Sequence, residues 1–133
     1  MEYSEESLSQ HRIRKAKEDL AEAKELFNKE LIGGSINRSY YSIFDAARAL
    51  LAFDRFDSKK HSGVIHFFHQ NYIATKKIEV HFGKILSNAF NMRSKTDYHD
   101  FYVAAKSDAQ KLIEDAEEFL NMIEKYLENV SEK

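Results

Sequence analysis

From Ile36 to Phe53 the chain reads INRSYYSIFDAARALLAF, and its apolar positions Ile36, Tyr40, Ile43, Ala47 and Leu50 recur at alternating spacings of four and three. That period is one side of an α-helix. A second row, Tyr41, Phe44 and Leu51, widens the stripe past what a single partner helix covers, so this helix is expected at the centre of a bundle.

The flanking segments supply its partners. Ile13, Ala16, Leu20, Ala23, Phe27 and Leu31 repeat the three-four spacing before it, with Ser9 as the expected cap. The other positions of that helix are charged, and Lys15 with Asp19 and Glu25 with Lys29 read as solvated pairs four apart. Gly33 and Gly34 are expected to end it and Ser35 to cap the next, which makes the two an antiparallel hairpin. After the polar break DRFDSKK, a shorter helix starting at Ser58 or Ser62 runs through VIHFFHQNY. A fourth helix extends from about Val80 to about Thr96, with Phe82, Ile85, Leu86, Ala89 and Met92 inward. A kink or short loop is expected at DYHD. The last helix is expected from about Tyr102 to Val130 along Ala105, Ala109, Leu112, Ala116, Phe119, Ile123 and Leu127. No stretch has the alternation of a strand. The fold expected is all-α, an up-down antiparallel four-helix bundle with an additional short helix. It forms a single domain over residues 10–130, with 1–9 and 131–133 as frayed termini.

Composition narrows the function classes. There are no cysteines, which removes disulfides and thiolate metal sites, and the acidic start MEYSEESLSQ is not a secretory signal. No apolar run reaches the roughly 20 residues that cross a bilayer, so the expected location is the cytoplasm. Twenty Lys and Arg against 22 Asp and Glu give a net charge of −2. Any nucleic-acid binding must therefore rest on a local patch. His61, His66 and His69 share one segment, but no Glu-x-x-His pair or His-Glu-x-x-His accompanies them, so neither metal nor cofactor is expected.

The segment Arg93 to His99, RSKTDYH, carries the more specific chemistry. A permanently charged, planar guanidinium suits a phosphate, and an imidazole moves protons near neutral pH. Together they suffice to cleave RNA: the histidine exchanges a proton with the 2′-hydroxyl or the leaving oxygen while the arginine holds the developing charge. On a straight helix, six residues at about 100° each leave the two side chains roughly 120° apart. They meet at one phosphate only if DYHD leaves the helix or a second subunit supplies one member. The spacing equally admits a structural reading, with Arg93 paired to Asp97 and His99 at the surface. Lys59, Lys60 and Lys95, in breaks or near helix ends, are candidate RNA- or nucleotide-binding residues or simply solubilising charges.

NRSYYSIFDAARALL, then KKHSGVIHFF, then RSKTDYHDF before a long C-terminal helix resemble the HEPN (higher eukaryotes and prokaryotes nucleotide-binding) family, in its small stand-alone prokaryotic branch. The resemblance spans roughly residues 10–127. It implies a helical bundle that forms a homodimer, often encoded beside a minimal nucleotidyltransferase as a toxin and antitoxin pair. Active members are metal-independent endoribonucleases with Arg, four to six residues, then His, two such motifs meeting in one dimer cleft. Arg93 and His99 fit that spacing, while Ser94 follows the arginine where active members carry Asn, Asp or His. Phe101 stands two positions after the histidine, where some toxins carry a tyrosine that the partner adenylylates. Three readings follow: an RNA-cleaving toxin using Arg93 and His99; a noncatalytic nucleotide- or RNA-binding module partnering a nucleotidyltransferase; and a metal-binding bundle.

Overall fold

A computed structural model of the chain describes residues 4–131. Within them five helices form: α1 (Glu5–Asn28), α2 (Ile32–Phe53), the short α3 (His61–Phe68), α4 (Val80–Tyr98) and α5 (Lys106–Ser131). A π-helical turn over His69–Ile73 extends α3. Helix α2 packs against each of the other four, and the expected all-α bundle is what the chain forms.

The reason lies around the circumference of α2. Ile36, Tyr40, Ile43, Ala47 and Leu50 are buried as their spacing predicts, together with Phe44 and Leu51. A third row is buried as well: Ser35, Ser39, Ser42 and Ala46 face α1, where small side chains allow a close approach. Ser35 Oγ donates to the Ala23 carbonyl and Ser42 Oγ to the Ala16 carbonyl, each at 2.8 Å. As the α2 partner advances from 35 to 42, the α1 partner retreats from 23 to 16, so the two helices run antiparallel. Apolar packing outweighs surface charge here. Truncating a buried Phe119 or Ile43 would cost about 2–5 kcal/mol, against roughly 0–1 kcal/mol for an exposed pair such as Lys24–Glu117.

Several boundaries differ from expectation, each for a local reason. Helix α1 starts at Glu5 because Ser4 caps it, its Oγ accepting from the Ser7 amide at 3.0 Å. Ser9 is already inside the helix and buried. The remaining expected frayed positions, 1–3 and 132–133, lie outside the described residues. The turn between α1 and α2 falls at Lys29–Leu31, with Glu30 in the left-handed region at φ 61°. Gly33 and Gly34 therefore open α2 instead of closing α1. Ser35 does not cap α2, because its hydroxyl is committed to α1. A Cβ on Gly34 would sit 3.3 Å from Leu26, so the glycine lets the hairpin close. Helix α4 continues through Asp97 and Tyr98, and the loop begins only at His99. Helix α5 consequently starts at Lys106, leaving Tyr102 and Ala105 before it.

Asp19, read from the sequence as solvated, is 3 % exposed and faces Asp45, also 3 % exposed, across the α1–α2 contact. Lys15 reaches Asp45 at 3.8 Å and Arg38 reaches Asp19 at 3.4 Å. The Oδ2 atom of each carboxyl lacks a donor, which a proton held between the two would supply. Burial first, then the Asp45 carboxyl, pushes the Asp19 pKa from 3.8 up to about 7. A folded pKa above the unfolded one means that folding binds a proton in between, so stability falls as pH rises through the interval from about 4 to about 7. Thermal melting between pH 5 and pH 8 should show a drop of a few degrees from this group, and Asp19→Asn should flatten that dependence; an unchanged slope in the variant would contradict the assignment.

Candidate functional site

Where α4 crosses the N-terminal half of α2, Arg93 emerges over the two adjacent tyrosines. Its guanidinium carbon lies 5.5 Å from the Tyr40 ring centre, 5.6 Å from Tyr41 and 5.5 Å from Tyr98. A cation over π faces is attracted by the ring quadrupole, more strongly as water is excluded, and the Arg93 side chain is only 15 % exposed. Nη2 donates to the Tyr41 hydroxyl at 3.3 Å, and Nε lies 2.8 Å from Asp97 Oδ2 without its N–H aimed at that oxygen. Asn37 Nδ2 donates to the same Asp97 oxygen at 3.2 Å. Burial opposes the charge, but Tyr41, Tyr98 and Asp97 outweigh it and hold the Arg93 pKa above the usual arginine value. The site thus has a fixed, permanent cation.

His99 is placed differently. It is the exposed residue that ends α4, at φ −110° and ψ 107°, and its amide still donates to the Lys95 carbonyl. Its ring has no hydrogen bond, ion pair or ring contact among the described residues. Because α4 stays helical up to Tyr98, the expected departure at DYHD comes too late to turn His99 towards Arg93. The ion pair of the structural reading is present.

The histidine that the fold brings to the Arg93 cluster is His61. Its ring stacks on Phe44 at 4.2 Å between centres and lies 5.7 Å from Tyr40 and 5.8 Å from Tyr41. Nδ1 is 2.7 Å from the Tyr40 hydroxyl. Tyr40 is fully buried and its pKa is raised, chiefly by burial, so its proton stays on oxygen. Burial, then the charges of Arg93 and Arg48, lowers the His61 pKa. A neutral ring accepting from Tyr40 at Nδ1 carries its own proton on Nε2, which makes His61 a hydrogen-bond donor beside the cation. The sequence signal for this neighbourhood was the aromatic second row on α2. Read as core alone, it concealed that Tyr41 and His61 keep polar edges.

Of the candidate lysines, Lys59 and Lys60 are exposed and immediately precede His61. Lys95 stands about 200° from Arg93 around α4 and lines a separate groove of about 350 Å³ with Asn91, Asp108, Lys111 and Asp115. A larger cleft of about 500 Å³ is rimmed by Glu6, Glu124 and Glu128, which disfavours an anionic ligand. Among the described residues no group of three or more His, Asp or Glu side chains could hold a metal ion, His69 instead bonding Ser87 at 3.0 Å. No helix among them is long and apolar enough to cross a membrane.

Because burial and the Arg93 charge act on His61, NMR titration will place its pKa below 6.5 in the native protein, and Arg93→Ala will raise it; no movement in the variant would contradict the juxtaposition.

Comparison with known proteins agrees with the pattern of blocks along the chain. A family model described as the HEPN domain matches residues 9–126. Two Methanocaldococcus jannaschii proteins, each provisionally named a toxin, are 34 % and 36 % identical over 115 residues, covering 86 % of this chain and 78 % and 85 % of their own lengths. A UPF0332 protein of Thermotoga maritima is 32 % identical over 125 residues, 94 % of this chain and 95 % of the relative.

Proposed function

The chain belongs to the HEPN domain family, and from that premise we propose that it is the toxin component of a toxin–antitoxin pair, a metal-independent endoribonuclease acting as a homodimer in the cytoplasm. Its catalytic residues are Arg93 and His99, with Lys59 and Lys60 drawing in the RNA and Lys95 contributing on the far side of α4. Residues 10–130 act as one domain. The provisional toxin names of the relatives support an antitoxin partner, and that antitoxin is a minimal nucleotidyltransferase.

One observation carries the reading. Arg93 is anchored by Asp97 and three tyrosine rings, while His99 is exposed at the end of the same helix, its ring without a partner among the described residues. An unbroken helix between them keeps them apart within one protomer. A second copy can bring its own His99 to the first copy's Arg93. The surface at this end of α4 favours such a contact: Tyr98, Phe101 and Val103, within six residues of one another, are 68 %, 99 % and 89 % exposed, and clustered exposed apolar side chains mark contact surfaces.

In that cleft His99 accepts the 2′-hydroxyl proton as the 2′-oxygen attacks the adjacent phosphorus. The bond to the 5′-oxygen breaks, that leaving oxygen takes a proton from water, and His99 returns its own proton to solvent. Arg93 stabilises the extra negative charge on the phosphoryl oxygens, already positioned and partly desolvated. The fragments end in a 2′,3′-cyclic phosphate and a 5′-hydroxyl.

A second reading has a specific observation in its favour: Arg93 already has a carboxylate partner in Asp97. In a noncatalytic nucleotide- or RNA-binding module of a nucleotidyltransferase pair, that ion pair would be structural. Cleavage of a mixed single-stranded RNA in EDTA separates the two. The nuclease reading predicts cleavage by the native protein and a loss of at least about 100-fold in both Arg93→Ala and His99→Ala, with melting temperatures retained. Equal, negligible cleavage by all three would leave the binding module.

A further inference from the structure

Next to Arg93, on the same edge of α2, lies a second cationic group that the proposed chemistry does not use. Arg48 Nη2 lies 3.2 and 3.3 Å from the two oxygens of Asp57. Arg12, 7 % exposed, donates Nη2 to Asp57 Oδ2 at 3.2 Å and Nη1 to the Arg48 carbonyl at 3.0 Å. One carboxylate is thus held by two guanidinium groups, with a net charge of +1. These contacts are long for charge-assisted hydrogen bonds, which favour about 2.7–2.9 Å. The Asp57 side chain is 56 % exposed although Arg12 beneath it is 8 % exposed. Asp57 sits in the segment between α2 and α3, bonded also to the Ser58 amide at 2.9 Å, so it reaches its partners from a loop.

This arrangement has the chemistry of an anion site filled from within. Two converging arginines suit the oxygens of a phosphate as well as those of a carboxylate. The position relative to Arg93 makes the match specific. Arg48 lies 5.9 Å from the Phe44 ring centre and Arg93 5.5 Å from that of Tyr40, and those two rings stack 5.6 Å apart on successive turns of α2. His61 rests on both rings within the field of both arginines, and with Nδ1 bonded to Tyr40 its Nε2 has no partner among the described residues. Arg93, His61 and Arg48 thus gather on the Tyr40–Phe44 stretch of α2, and exposed Lys59 and Lys60 immediately precede His61.

We propose that Arg48 and Arg12 form a second phosphate subsite for single-stranded RNA, beside the one at Arg93, and that Asp57 occupies it until a backbone phosphate displaces the carboxylate. The proposal rests on the RNA reading above. It makes Asp57 a competitor of the ligand, and in that respect differs from a structural ion pair, which only loses stability when broken.

The test is binding of a fluorescein-labelled single-stranded RNA, followed by anisotropy at several salt concentrations in EDTA, with His99→Ala as the parent so that the RNA stays intact. Arg48→Ala should weaken binding about tenfold and reduce the salt slope by about 0.7, the loss of one phosphate contact on a single strand. Arg48→Lys should recover part of the affinity. Asp57→Asn should tighten binding a few-fold. Asp57 is exposed in a loop, so this arm decides the matter even if Arg48→Ala fails to fold. Unchanged or weaker binding in Asp57→Asn, while Arg93→Ala still loses affinity, would overturn the subsite and leave the RNA reading standing. Failure of the parent to bind RNA at all would overturn both.

Discussion

Enclosure of α2 is the constraint on which the rest of the structure depends. Nearly every side of that helix is covered: apolar rows against α4 and α5, serines and alanines against α1, and Phe44 beneath the His61 ring of α3. A helix buried so widely cannot display a site of its own except where a neighbour leaves a gap. That gap falls at Tyr40 and Tyr41, and Arg93 of α4 fills it from above. The placement of the cation is a consequence of how the core closes. Its neighbours follow: Tyr40 must stay buried and protonated, so its hydroxyl is available to orient His61.

Hydrophobic spacing made the bundle legible, because Ile36, Tyr40, Ile43, Ala47 and Leu50 are buried as their period requires. The same method missed the serine face. A serine counts as polar in any pattern, yet Ser35 and Ser42 are buried at no cost in lost hydrogen bonds, since each donates to a carbonyl of α1. That choice displaced the expected cap and moved the α1–α2 turn back to Glu30. Asp19 was misread for a related reason. Its charge suggested water, but Asp45 and Arg38 lie against it across the helix contact, and neither relation is visible in a spacing of four along α1.

At the candidate site, the sequence identified Arg93 and His99 as the chemically able pair and Asp97 as the competing partner of the arginine. Arg93 and Asp97 do pair, and Phe82, Ile85, Leu86 and Ala89 keep α4 docked so that the arginine points at α2. His61 was invisible as a neighbour of Arg93, because its approach depends on how the segment from Asp54 to Lys60 folds back over Phe44. Local spacing along one helix predicts angles well. It says little about which loop returns to cover it.

The central claim is that Arg93 of one protomer works with His99 of another, because α4 holds the two residues of a single protomer apart. Complementation tests it most directly. Arg93→Ala and His99→Ala proteins, each inactive alone, are unfolded together, refolded as a mixture, and assayed on single-stranded RNA in EDTA. The account predicts that the mixture regains part of the cleavage, since the cleft of a mixed dimer then pairs the intact arginine of one protomer with the intact histidine of the other. A mixture that forms mixed dimers and stays as inactive as its components would contradict it.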